Sequence, residues 1–167
     1  SLPSYDIRDK VVLVTGSNRG IGLAFVQYFV KHGASKVYAG VRDLKTAQKI
    51  FEKEGESFNN KVIPIVIDLS QPDTIKEAAS VATDVDIVIN NAGVLSRTEP
   101  LAEDAVANLQ HEMTVNVYGW MTMAQEFAPV LEQQKGVLVQ INSVASMRCP
   151  SANVSTYAAS KAAAYSM

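Results

Sequence analysis

The chain has 167 residues, of which 47% are apolar and 19% charged, with a formal net charge of -2 and a single cysteine, Cys149. That length suits one domain with a real core, a near-neutral balance without blocks of like charge argues against nucleic acid or an anionic membrane surface as partner, and one thiol excludes an intrachain disulfide. The stretch SLPSYDIRDKVVLVTG lacks a basic region followed by an apolar signal core, and no apolar run reaches the roughly 18 to 20 residues that cross a bilayer, so a cytoplasmic protein acting on small molecules is expected.

In chain order, the apolar run VVLVTG (11–16) predicts a first strand, and a glycine-rich turn leads from it into a helical pattern over 20–32 that Gly33 closes. KVYAGV (36–41) reads as a second strand and Asp43 as the N-cap of a helix over 43–54. VIPIVID (62–68) and DIVINNAG (86–93) are strands three and four, with a helix over 71–82 between them. A long helical stretch follows over 102–134 and stops at Gly136; Pro129 inside it removes one backbone hydrogen bond and predicts a kink or a change of helix near Ala128. GVLVQINS (136–143) is the fifth strand, and STYAASKAAAYSM (155–167) begins a last helix capped by Ser155 or Thr156. The strands are continuously apolar, as a parallel sheet covered on both faces requires. Their alternation with helices predicts an α/β, doubly wound parallel sheet, Rossmann-like, in a single domain over 1–167.

The turn after the first strand reads Thr15, Gly16, Ser17, Asn18, Arg19, Gly20, Ile21, Gly22. A turn without β-carbons lets the backbone approach a pyrophosphate, and the N-terminus of the next helix offers free N–H groups and the positive end of its dipole. The spacing is G-x-x-x-G-x-G, not the G-x-G-x-x-G of the standard dinucleotide fingerprint, and the lesser alternative is a tight turn with glycines for packing alone. At the end of the second strand, where an acidic residue binds the ribose 2′-hydroxyl of NAD and an arginine accommodates the 2′-phosphate of NADP, the chain has Arg42 followed by Asp43. With Arg19 as a second guanidinium, NADP(H) is preferred over NAD(H). Asp68 ends the third strand, placed to meet an adenine amino group or to cap the next turn. Asn90 and the rest of NNAG end the fourth strand on the same carboxyl edge, where ligands bind in open α/β folds.

Tyr157 and Lys161 stand four apart, on one face of the last helix. A unit positive charge about 4 Å from an oxygen is worth on the order of 4 kcal/mol at an effective dielectric of 20, so Lys161 can help Tyr157 work as an acid and base. Ser143 closes the fifth strand and can hold a substrate oxygen while the proton moves, unless it only satisfies local backbone. His32 and His111 have no partners at metal-ligand spacing, and no metal is assigned. Cys149, beside Pro150, reads as a small loop residue near the substrate mouth.

Together VVLVTGSNRGIG, NNAG, INSVAS and YAASK, in that order, resemble the short-chain dehydrogenases/reductases, in the group with the T-G-x-x-x-G-x-G loop. The resemblance implies that Gly16, Ser17, Asn18, Arg19, Gly20, Ile21 and Gly22 form the cofactor turn and that Asp68 with Leu69 meets the adenine. It implies that Asn90, Ala92 and Gly93 line the cofactor cleft and that Lys161 also binds the nicotinamide ribose. It implies that Asn116, in TVNVYG, supports a water-mediated proton relay to Lys161, completing a catalytic set with Ser143 and Tyr157. The implied activity is hydride transfer between NADP(H) and a carbonyl or secondary alcohol, in a homo-oligomer, a dimer or tetramer. The standard dinucleotide fold has six strands in the order 3-2-1-4-5-6, and only five precede the last helix. The sheet is thus expected to lack its C-terminal strands, and the chain to belong to a larger folding unit, completed by a complementary C-terminal segment. The rival expectation is an NADP(H)-binding scaffold or sensor, or an inactive fragment of such an enzyme.

Overall fold

A computed structural model describes residues 6–167; the five residues before them, part of the stretch read for a leader, lie outside it. The strands are β1 (Val11–Thr15), β2 (Lys36–Val41), β3 (Val62–Val66), β4 (Ile87–Asn90) and β5 (Val137–Gln140), and the sheet order is β3-β2-β1-β4-β5. Every neighbouring pair is parallel. The helices are α1 (Gly20–Lys31), α2 (Leu44–Phe51), α3 (Glu56–Asn59), α4 (Pro72–Val81), α5 (Ala105–Met113), α6 (Trp120–Gln134) and α7 (Ser155–Tyr165). The five strands and their alternation with helices match the sequence expectation. The helix expected over 43–54 is divided: α2 gives way to a 3-10 turn over 52–54, and Gly55, at φ +92°, starts the separate single turn of α3.

Why β1 is apolar from Val11 to Val14 is visible in its packing. Val12 and Val14 join Val26 and Phe29 of α1 and Phe51 of α2 on one face. Leu13 joins Ile75 of α4 and Met123 and Phe127 of α6 on the other. Strand side chains alternate between faces, so a strand covered twice must be apolar throughout. The edge strands depart from that rule. β3 tolerates Pro64 because an edge needs fewer ladder donors. On β5, Val137 and Val139 are 37% and 39% exposed.

The break expected near Ala128 does not occur there. α6 runs unbroken through Pro129. Pro129 and Gln125, whose carbonyl loses its donor, both lie on the exposed face, where water can satisfy that oxygen. The irregularity lies earlier, in a π-helical stretch over Thr114–Gly119 that joins α5 to α6. Gly119 there packs against the backbone of Leu69, where a β-carbon would lie 2.5 Å from the Leu69 carbonyl oxygen.

Candidate active site

The carboxyl ends of β1 to β4 border a cleft of about 610 Å³. Gly16, Asn18, Arg19, Gly20, Ile21 and Gly22 line one wall, Arg42, Asp68 and Leu69 the far end, and Ala92 and Gly93 the other wall. Gly16 has φ +65°, and a β-carbon on it would come within 3.1 Å of Ala92. On Gly22 one would sit 2.7 Å from Asn91 Nδ2 and collide with the Gly16 carbonyl. The loop and the end of β4 touch through backbone, which only glycine permits at these positions.

Two predicted cleft residues instead brace it from behind. Ser17 is fully buried and donates from Oγ to the Gly40 carbonyl at 3.1 Å. Asn90, 1% exposed, accepts from Thr15 Oγ1 at 3.1 Å and donates to Gln140 Oε1 at 2.6 Å, tying β1 to β4 and β4 to β5. Both side chains are held by the sheet itself, and neither lines the cleft. Asn91 does, with Nδ2 donating to the Thr15 carbonyl at 3.0 Å while Thr15 Oγ1 accepts the N–H groups of Asn91 and Ala92 at 3.0 and 2.9 Å.

At the far end the two residues after β2 separate in role. Asp43 is a helix cap: its carboxylate accepts from Lys45 N–H at 2.9 Å and from Thr46 Oγ1 at 2.5 Å, and the Thr46 bond above all holds its pKa below the usual carboxylate range. The Arg42 guanidinium lines the cleft with no hydrogen-bond partner or ion pair among the described residues. Asp68 lines it too, while its Oδ1 accepts from Ser70 N–H at 2.9 Å and Ser70 Oγ at 2.7 Å, so the turn-capping reading is also realised. His111 and Val115 complete this wall.

At the opposite end, Gly93 packs against Asn116 and Lys161: a β-carbon there would lie 3.1 Å from Asn116 Oδ1 and 3.5 Å from Lys161 Nζ. Asn116, 1% exposed and inside the π-helical stretch, accepts from Val94 N–H and donates to the Val94 carbonyl, both at 2.9 Å, and to Ser160 Oγ at 2.9 Å. Lys161 Nζ donates to the Ile141 carbonyl at 3.3 Å and lies 5.8 Å from the centre of the Tyr157 ring. Lys161 is 4% exposed, and burial pushes its ammonium below the usual lysine range. Ser143 follows β5, with Oγ accepting from Ala145 N–H at 3.2 Å, and its neighbour Asn142 donates to the Lys161 carbonyl at 3.3 Å. Asn116, Tyr157, Lys161 and the end of β5 thus converge where Gly93 closes the cleft. Cys149 is exposed.

The profile of one family, short chain dehydrogenase, matches residues 10–167. The chain belongs to that family. It is 34% identical to a short chain dehydrogenase from Burkholderia cenocepacia solved in complex with NADP, with a TM-score of 0.86 over 98% of this chain and 65% of that one. A short chain dehydrogenase/reductase from Burkholderia phymatum, solved in complex with NAD, is 26% identical, with a TM-score of 0.86 over 98% of this chain and 59% of that one. The 11-beta-hydroxysteroid dehydrogenase A of Sesamum indicum is 28% identical over 167 residues, 98% of this chain and 47% of that protein. The chain spans about half the length of the curated relatives it matches.

For a short-chain dehydrogenase/reductase, the cleft residues given no binding role from the sequence include Val41, Thr46, Ile67, Ser70, Asn91, Val94, His111 and Val115. Asn91 had a signal, the second Asn of NNAG. His111 and Val115, four apart and ahead of Asn116, signal one helical face, but only packing shows that this face meets the cleft. Among the described residues no helix is long and apolar enough to cross a membrane, and no group of three or more His, Cys, Asp or Glu is arranged to hold a metal ion.

Proposed function

We propose that this short-chain dehydrogenase/reductase is an NADP(H)-dependent oxidoreductase acting on a carbonyl or secondary alcohol, with Tyr157 as the general acid and base. The observation that carries the reading is the convergence of Asn116, Tyr157, Lys161 and the end of β5 at the Gly93 end of a cleft whose other end is a glycine loop. The residues fit a dinucleotide: Gly16 and Gly22 hold the loop tight against the end of β4, the place of the missing β-carbon on Gly20 opens on free space, and the unpartnered Arg42 beside a carboxylate committed to helix capping favours a 2′-phosphate.

Bound in this cleft, a nicotinamide cofactor supplies or takes up the hydride. Tyr157 gives its phenolic proton to the substrate oxygen during carbonyl reduction and takes one from the hydroxyl in the reverse direction. Lys161, when protonated, stabilises the negative charge left on Tyr157, and the carbonyl of Ile141 orients its ammonium. Ser143 holds the substrate oxygen. Asn116 anchors Val94 and Ser160 around Lys161, through which protons are replenished. The π-helical stretch, α6 and α7 expose Tyr118, Met121 and Tyr165, which supports self-association through them.

The test is NADPH absorbance at constant protein concentration. NADPH consumption that starts only on addition of a carbonyl compound and fails with NADH is the expected result. Binding of NADPH with no consumption across a panel of aldehydes and ketones would replace the enzyme by a cofactor-binding scaffold.

A further inference from the structure

The side chain of Glu112, on α5, has no exposed surface. Its Oε1 accepts the N–H of Ser96 at 2.6 Å, and its Oε2 has no hydrogen-bond partner among the described residues. A buried polar atom without a partner destabilises a fold, and an apolar side chain of similar size packs in such a place at less cost. Stability therefore gives no reason for a carboxyl group at this position.

Its place in the site does. One turn further along the same helical rod, Asn116 binds both the N–H and the carbonyl of Val94. Glu112 and Asn116 together satisfy the N–H of residue 94, the carbonyl of residue 94 and the N–H of residue 96. Those are the groups that one edge of an extended chain presents to a neighbouring strand. Two side chains of a helix thus stand in for a strand along residues 94–96. Gly93, immediately before the clamped segment, is the residue packed against Asn116 Oδ1 and Lys161 Nζ. Where residues 94–96 are held decides where Gly93 sits, and so fixes the cleft wall beside Lys161 and Tyr157.

We infer that Glu112 is a positioning residue for the hydride-transfer chemistry proposed above, on which this inference rests: it acts through Ser96 to hold the cleft wall in register with Lys161. The unpartnered oxygen is tolerated because its twin is needed as the acceptor for Ser96.

The test uses the full-length protein and two variants. In Glu112→Met, which keeps the length of the side chain and loses both oxygens, the Ser96 amide exchanges with deuterium about tenfold faster than in the wild type or more. Its Tm is unchanged or higher, and its kcat with NADPH and a carbonyl compound falls about 10- to 100-fold. Affinity for 2′,5′-ADP, a ligand that tests the Arg42 end of the cleft, is unchanged. In Glu112→Gln, which retains an acceptor for Ser96, slow exchange returns and kcat recovers to within about threefold of the wild type. Wild-type Ser96 exchange or wild-type kcat in Glu112→Met overturns the inference, as does a loss of kcat that follows a falling Tm in both variants. A wild-type protein that consumes no NADPH defeats the hydride-transfer reading instead, and Ser96 exchange in the variants still decides whether Glu112 holds the wall.

Discussion

The two ends of the cleft are made in different ways. Around the glycine loop, consecutive residues 16 to 22 meet Ala92 and Asn91 through close backbone approach, with Thr15 stitching the ends of β1 and β4 together. Around Lys161, the working side chains come from three stretches of chain, α7, the π-helical segment and the end of β5, joined by polar ties such as Asn116 to Ser160 and Asn142 to Lys161. The first end depends on what is absent, the β-carbons. The second depends on side chains held by other side chains, so its residues can be replaced one at a time without collapse of the cradle. Binding and chemistry are therefore expected to fail separately.

The largest expected effect breaks chemistry alone. Tyr157→Phe removes the proton donor and is expected to lower kcat by about 10²- to 10⁴-fold, with NADPH affinity nearly unchanged in a fluorescence titration; equal losses in both would erase the distinction between the two ends. Gly22→Ala does the reverse. Its methyl group meets Asn91 Nδ2 at 2.7 Å, and such overpacking costs about 1–3 kcal/mol, so calorimetry is expected to show a lower Tm together with weakened NADPH binding. Arg42→Ala is milder, a loss of about 10- to 100-fold in preference for NADPH over NADH, read from the ratio of kcat/KM values.

The smallest effect concerns a cost carried by the chemical end. Burial lowers the proton affinity of Lys161 in the folded protein below its ordinary value of 10.5. Below that ordinary value the unfolded chain binds the proton more readily, so protonation favours unfolding, and the penalty fades as pH rises toward 10.5. Lys161→Met, although inactive, is expected to exceed the wild type in Tm at about pH 7, by a margin that shrinks as the pH is raised. A margin that grows with pH would show that the lysine is stabilised in its charged form.

The sheet was legible because a strand covered on both faces must be apolar along its covered length, and VVLV, VYAGV and IVI are. The glycine loop was legible because its requirement is local. Asn90 and Ser17 were misplaced for a reason of the same kind: a motif says that a polar residue belongs at the sheet edge, but only the neighbours Gln140 and Gly40 determine whether it faces the ligand or the frame. The π-helical stretch had no composition signal, and Pro129 pointed to the wrong turn because the cost of a proline depends on whether its orphaned carbonyl reaches water. Glu112 was unreadable for the complementary reason, since a glutamate in a helix is ordinarily a solvated one.

The wide turns over Thr114–Gly119 also set a phase. A helix advances about 100° per residue, and a π-helical stretch takes up an extra residue without added turn. With one residue so absorbed, the path from Glu112 to Leu131 closes on about five whole turns, which brings Glu112 and Asn116 into rotational alignment with Met123, Phe127 and Leu131. Deleting one residue within that stretch would restore even winding and rotate the clamp on residues 94–96 by about a quarter turn against the hydrophobic stripe that fixes α6 to the sheet. The coil is geared so that its anchoring half and its working half face the same way.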